Sequence, residues 1–136
     1  MRIMIKRELL FYPTVFLKEA DDVITVRVPD VGITTVGSDY QEAIAMALDA
    51  VGLRLEEETE YPEPTSPDDV LLEEWDSPAN AKVMIVAYDL AEYRKNQNRT
   101  VRRNISIPEY LNNIAKKQNI NVSKVATEAL EQIVFG

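Results

Sequence analysis

Three polar residues near the C-terminus stand two positions apart: Arg102, Asn104 and Ser106. Side chains two apart share a face of an extended chain. If Thr100–Ile107 is a strand, these three project together and Ile105 and Ile107 turn the other way. The residue types suit base-pair edges. A guanidinium can bond guanine through two N–H groups, a carboxamide can match adenine, and a hydroxyl is permissive. Further on, Asn121-Val122-Ser123-Lys124 opens a helical pattern. The first N–H groups of a helix lack partners inside it and, with the helix dipole, favour an anion such as phosphate. Asn121, Val122, Ser123 and Lys124 are therefore candidate phosphate-binding residues. Arg103 joins them, because its long side chain can reach from an inward-facing position to the strand edge.

Little other chemistry is available. The chain has no histidine and no cysteine, so the commonest general base, disulfides and thiolate metal sites are all excluded. A two-metal nuclease needs clustered carboxylates. Asp21, Asp22, Asp30 and Asp39 qualify by type, but they lie in turns and caps, where aspartate is expected anyway. No carboxylate falls inside the strand cores Val23–Val28 or Val83–Val86. No enzymatic activity, metal or cofactor is expected.

Charge divides the chain. Residues 1–78 carry 6 Lys/Arg against 18 Asp/Glu, a net of −12, whereas residues 79–136 carry 9 against 5, a net of +4. An acidic first half repels nucleic acid and attracts a basic protein; a basic tail can approach a phosphate backbone. No apolar run approaches the ~20 residues that span a bilayer. The N-terminal MRIMIKRELLFYP lacks the long apolar region and small-residue cleavage site of a signal peptide. A cytoplasmic protein without membrane contact is expected.

The elements that must position these residues follow from patterning. Tyr12–Leu17, Val23–Val28 and Ile33–Val36 read as three strands of an antiparallel meander. Ile24, Val26 and Val28 form one side of the second, opposite Val23, Thr25 and Arg27. Ser38 or Asp39 opens a helix, with Glu42 placed for a capping box. Its apolar residues Ala43, Ala47, Ala50 and Val51, and Ile44, Leu48, Val51 and Leu55, recur at helical spacing, so the helix is expected to lie across the sheet. Tyr61-Pro-Glu-Pro-Thr-Ser-Pro67 is an extended loop. Asp68–Trp75 suggests a short, aspartate-capped helix. Lys82–Tyr88 is nearly all apolar and is expected as a central strand. Ala91–Asn98 reads as a short helix or hinge. After the basic strand come helices over Glu109–Gln118 and Val122–Phe135, joined by Asn119-Ile120-Asn121. Leu111, Ile114, Ala115, Val125, Ala126, Ala129, Leu130 and Ile133 are expected to face inward.

A strand, a proline and two helices within about 36 residues cannot bury a core alone. Two copies pairing their strands would complete one. The run VRRNISIPEYLNNIAKKQNINVSKVATEAL resembles the ribbon-helix-helix family, whose paired strands enter the major groove. That resemblance implies a homodimer, or a higher oligomer, bound to operator DNA. In the first half, Tyr12-Pro13-Thr-Val-Phe16, Ile24-Thr25-Val26, Val28-Pro29-Asp30, Gly37, Glu42-Ala43, Ala47 and Pro62-Glu-Pro64 resemble the HicB antitoxins. This implies an α+β fold with a partial ribonuclease-H-like domain, an antiparallel sheet covered by a helix, ahead of the ribbon-helix-helix. The expected division is 1–90, a linker over 91–99, and 100–136.

The resemblance also implies a partner, a small basic HicA-type toxin that cleaves messenger RNA. Tyr12, Asp30, Glu56 and Glu57 are the candidate toxin-contact residues, although residue type favours core or strand pairing for Tyr12 and a solvated helix end for Glu56–Glu58. The expected function is a type II antitoxin that occludes its toxin and represses its own operon. The alternatives are a stand-alone repressor with an acidic ligand-sensing or oligomerisation domain, and a metal-dependent nuclease.

Overall fold

The computed structural model describes residues 9–72, 79–97 and 99–136. The chain divides into two compact units, 1–98 and 99–136.

The first unit is built on four antiparallel strands, β1 (Leu9–Ala20), β2 (Val23–Val28), β3 (Ile33–Gly37) and β4 (Ala81–Asp89), in the order β3-β2-β1-β4. Strands β1 and β2 turn at Asp21-Asp22, with Phe16 opposite Val26 and Leu17 opposite Thr25. The next turn bonds the Gly32 N–H to the Val28 carbonyl oxygen at 2.9 Å. Gly32 has φ +76° there, a left-handed conformation that glycine adopts without a Cβ penalty. The alternation expected for β2 is realised: Ile24, Val26 and Val28 are buried, while Val23, Thr25 and Arg27 are only partly so.

Helix α1 (Tyr40–Leu55) covers one face of this sheet. Asp39 caps it, accepting the Glu42 N–H at 2.7 Å, and Glu42 accepts the Ser38 N–H in return at 3.0 Å. Two otherwise unpaired donors are thereby satisfied. Ala43, Ala47, Val51 and Leu55 form the buried stripe against Tyr12, Phe16, Ile24, Val26 and Val28. The small alanines let the helix approach the strands closely.

Two expectations need correction. Strand β4 is an edge strand rather than a central one; it pairs with β1 along all nine residues, and no other described strand flanks it. Its apolar composition suits a long strand in either position. The segment after the proline-rich loop begins with a 3₁₀ turn, Pro67–Asp69, capped by Ser66 and not by an aspartate. Val70 is already extended, and 73–75 lie outside the described residues. Of the two readings of Ala91–Asn98, short helix or hinge, the helix forms: α2 (Leu90–Lys95) packs within the first unit.

The second unit holds α3 (Glu109–Lys117) and α4 (Val122–Phe135). Asn119 takes the left-handed conformation, φ 55°, in the turn between them. Pro108 precedes α3, where its missing N–H costs nothing. No residue of either helix is buried.

Candidate functional site

In the first unit the proline-rich loop is pinned to the sheet and helices at several points. The Tyr12 hydroxyl donates to the Pro62 carbonyl oxygen at 2.7 Å. Asp30, in the β2–β3 turn, accepts the Thr65 N–H at 2.8 Å and its hydroxyl at 2.6 Å. Arg94 of α2 donates to the carbonyl oxygens of Glu56 and Glu58, both at 3.0 Å, and to the Tyr61 hydroxyl at 3.3 Å. The loop and the end of α1 thus form a held surface. Around it stand the exposed carboxylates Glu57, Glu58, Glu60 and Glu63.

This geometry revises the candidate toxin-contact residues. Tyr12 is 1 % exposed, so it supports the loop from within and offers nothing to a partner. Asp30 is half-buried and engaged with Thr65. The backbone of Glu56 receives Arg94, whereas Glu57 is exposed. The sequence gives no sign that Tyr12, Asp30 and the backbone of Glu56 take part in bracing this loop and the end of α1. Arg94 was missed altogether, since nothing local links it to a loop more than thirty residues away.

Beneath the surface lies a buried polar chain. The Thr14 hydroxyl donates to the Tyr12 carbonyl oxygen at 3.2 Å, which leaves the Tyr88 hydroxyl to donate to Thr14 at 2.6 Å. Burial pushes the Tyr88 phenol up to about 12, opposed by the Thr14 bond. Burial likewise raises Tyr12 to about 12, with Asp30, Glu63 and Tyr61 adding to it. Both phenols stay protonated near neutrality and serve as donors. No group of three His, Cys, Asp or Glu side chains suited to a metal occurs among the described residues.

A cleft of about 450 Å³ opens between α1, α2 and the ends of β1 and β4. Leu10, Leu48, Val51, Tyr88, Leu90 and Tyr93 supply its apolar lining, and Asp49, Asp89 and Glu92 supply its carboxylates. The ring of Tyr93 sits on Gly52, where any Cβ would collide with it.

In the second unit, Arg102, Arg103, Asn104 and Ser106 are all exposed. The expected strand over 100–107 is not formed, because a ladder needs a second strand and none of the described residues provides one. Ile105 and Ile107, expected to turn inward, are exposed too, as are Leu111, Ile114, Leu130 and Ile133. Asn121 caps α4 by accepting the Lys124 N–H at 3.0 Å. That donor is consequently engaged by the cap, which leaves the N–H groups of Val122 and Ser123 as the candidates for an anion. The Lys124 ammonium lies 4.0 Å from Glu128, on an exposed helix face.

The model of a HicB-like antitoxin of bacterial toxin–antitoxin systems matches residues 12–132. The chain belongs to this family. No curated protein gives a match. A toxin–antitoxin complex from Streptococcus pneumoniae contains a similar chain, with 21 % identity over 91 % of this chain and 98 % of that one, at a TM-score of 0.52. The antitoxin HicB of Burkholderia pseudomallei is similar at 21 % identity over 90 % and 98 %, with a TM-score of 0.50. At such identities the likeness is one of fold. This HicB-like chain shares with them a mixed α+β architecture, and no helix among its described residues is long and apolar enough to cross a membrane.

Proposed function

We propose that this antitoxin neutralises a HicA-type RNA-cleaving toxin through its acidic first unit and represses its own operon through its basic second unit. It does both in the cytoplasm and without enzymatic activity. The observation that carries this reading is the family match itself, which runs from 12 to 132 and so includes both units. Charge supports the division. The net −12 of residues 1–78 speeds encounter with a basic protein.

The second unit is read as half of a ribbon-helix-helix. Two helices with no buried residue lack a core of their own, and an exposed segment bearing Ile105 and Ile107 precedes them. Pairing with a second copy would close the ladder over 100–107, bury those isoleucines against Leu111, Ile114 and Leu130, and raise Arg102, Asn104 and Ser106 on the outer face. Arg103 and the Asn121–Lys124 turn would then meet phosphates. The first unit, a sheet covered on one face by α1, is read as the partial ribonuclease-H-like domain of such antitoxins.

The test is a search beside this gene for a reading frame encoding a small basic protein, followed by co-expression with it; lack of such a neighbour counts against the reading. The full chain should restore growth and retard operator DNA. A chain ending at Asn98 should restore growth and lose DNA binding. Operator binding without any neutralisation would favour a stand-alone repressor instead.

A further inference from the structure

We infer that the cleft between α1 and α2 receives an apolar side chain of the toxin, flanked by lysine or arginine. This rests on the toxin-neutralising reading above and assigns it a place on the molecule.

The cleft, at about 450 Å³, has room for one or two large side chains. Leu48 is 38 % exposed at its mouth, and Leu90 and Tyr88 close its floor. Apolar surface of this kind gains from being covered. Asp49 and Glu92 are exposed at the rim, and one carboxylate oxygen of Asp89 caps α2. None of the described lining residues is basic. An anionic or neutral-polar ligand would meet like charge or lose hydrogen bonds there. A basic protein that buries an apolar residue and sets its cations against three carboxylates satisfies both features. The charge of the first half, −12, agrees in sign and would guide such a partner. The cleft is also firmly built. Tyr93 is seated on Gly52, and Arg94 fastens α2 to the end of α1, so a partner meets a formed groove and not one it must open.

The experiment measures affinity between the full chain and the HicA-type toxin identified by the co-expression test above, in a nuclease-inactive form, by calorimetry at two salt concentrations. Leu48→Lys should weaken binding by about 30-fold or more, as expected when a cation replaces a buried apolar contact. Asp49→Asn with Glu92→Gln should weaken it by about 5-fold and flatten its salt dependence. Leu53→Lys, on an exposed position of the same helix that does not line the cleft, should bind as wild type. The paired carboxylate variant keeps the test open if Leu48→Lys fails to fold. Wild-type binding that neither cleft variant alters overturns the cleft and leaves the antitoxin reading standing. No complex with the wild type overturns both. Loss of self-association in Leu48→Lys without the basic protein would assign the cleft to a second copy and overturn the inference.

Discussion

Asp30 grips Thr65 with both carboxylate oxygens, one on the N–H and one on the hydroxyl. Thirty-five positions separate them in sequence, yet this one contact joins the β2–β3 turn to the proline-rich loop. Prolines stiffen the loop locally, and the carboxylate fixes where the stiffened piece lies.

Replacing Asp30 by alanine should therefore cost about 1–3 kcal/mol, because the half-buried Thr65 donors lose a charged acceptor. Urea denaturation checks the magnitude. Limited proteolysis should show faster cleavage around residues 61–66, and Asp30→Asn should fall between the two proteins.

Arg94 supplies a second anchor through two carbonyls and a hydroxyl. Arg94→Lys should recover only part of it, since an ammonium lacks the planar fork that reaches Glu56 and Glu58 together. We expect Arg94→Ala to cost about 2 kcal/mol and Arg94→Lys about half of that. Amide exchange in α2 should accelerate in the same order.

The phenols of Tyr12 and Tyr88 set an alkaline limit. Each is raised to about 12 in the folded protein, above the ordinary 10.0. The unfolded chain thus releases these protons first as pH rises. Their contribution is complete below pH 10 and declines as pH climbs toward 12. Thermal melts at pH 9 and pH 11 should show a smaller drop in Tyr88→Phe than in wild type. An equal drop would exclude the tyrosine as its source.

Asn121 is the cap of α4, and Asn121→Ala should remove about 1 kcal/mol of helix stability. Asn121→Asp should keep the cap but place a negative charge where phosphate is proposed to sit. Operator affinity should fall more for Asp than for Ala, the reverse of their order in thermal stability.

For base reading, Arg102→Ala and Asn104→Ala should each cost about 1–3 kcal/mol in operator binding and relax specificity. Gel shifts against operator and scrambled DNA check both, and toxin neutralisation should be unaffected. Lys124→Ala should weaken binding to either DNA alike.

Much of this was legible before any coordinates. Strand β2, the buried stripe of α1 and a helix opening at Ser38 or Asp39 all follow from short-range spacing, and the structure takes Asp39 for the cap. Strand β4 was placed wrongly, because an apolar run records suitability for a sheet and says nothing about how many neighbours the strand will have. The braces were invisible for another reason. Thr14 and Tyr88, or Arg94 and Glu56, meet only after distant segments fold together, and single residues of those types carry no pattern. The segment 100–107 is a different matter again: the ribbon proposed for it would need a second chain, and one sequence records no such partner.

Gly52 and Tyr93 leave a signature that can be sought without purifying the protein. In a library of random variants selected for growth beside the toxin, position 52 should be the most depleted on α1, because every other residue drives a Cβ into the ring. Alanine there should survive mainly in company with a smaller residue at 93. The two positions would then be inherited as a pair, and drift at one would wait on drift at the other.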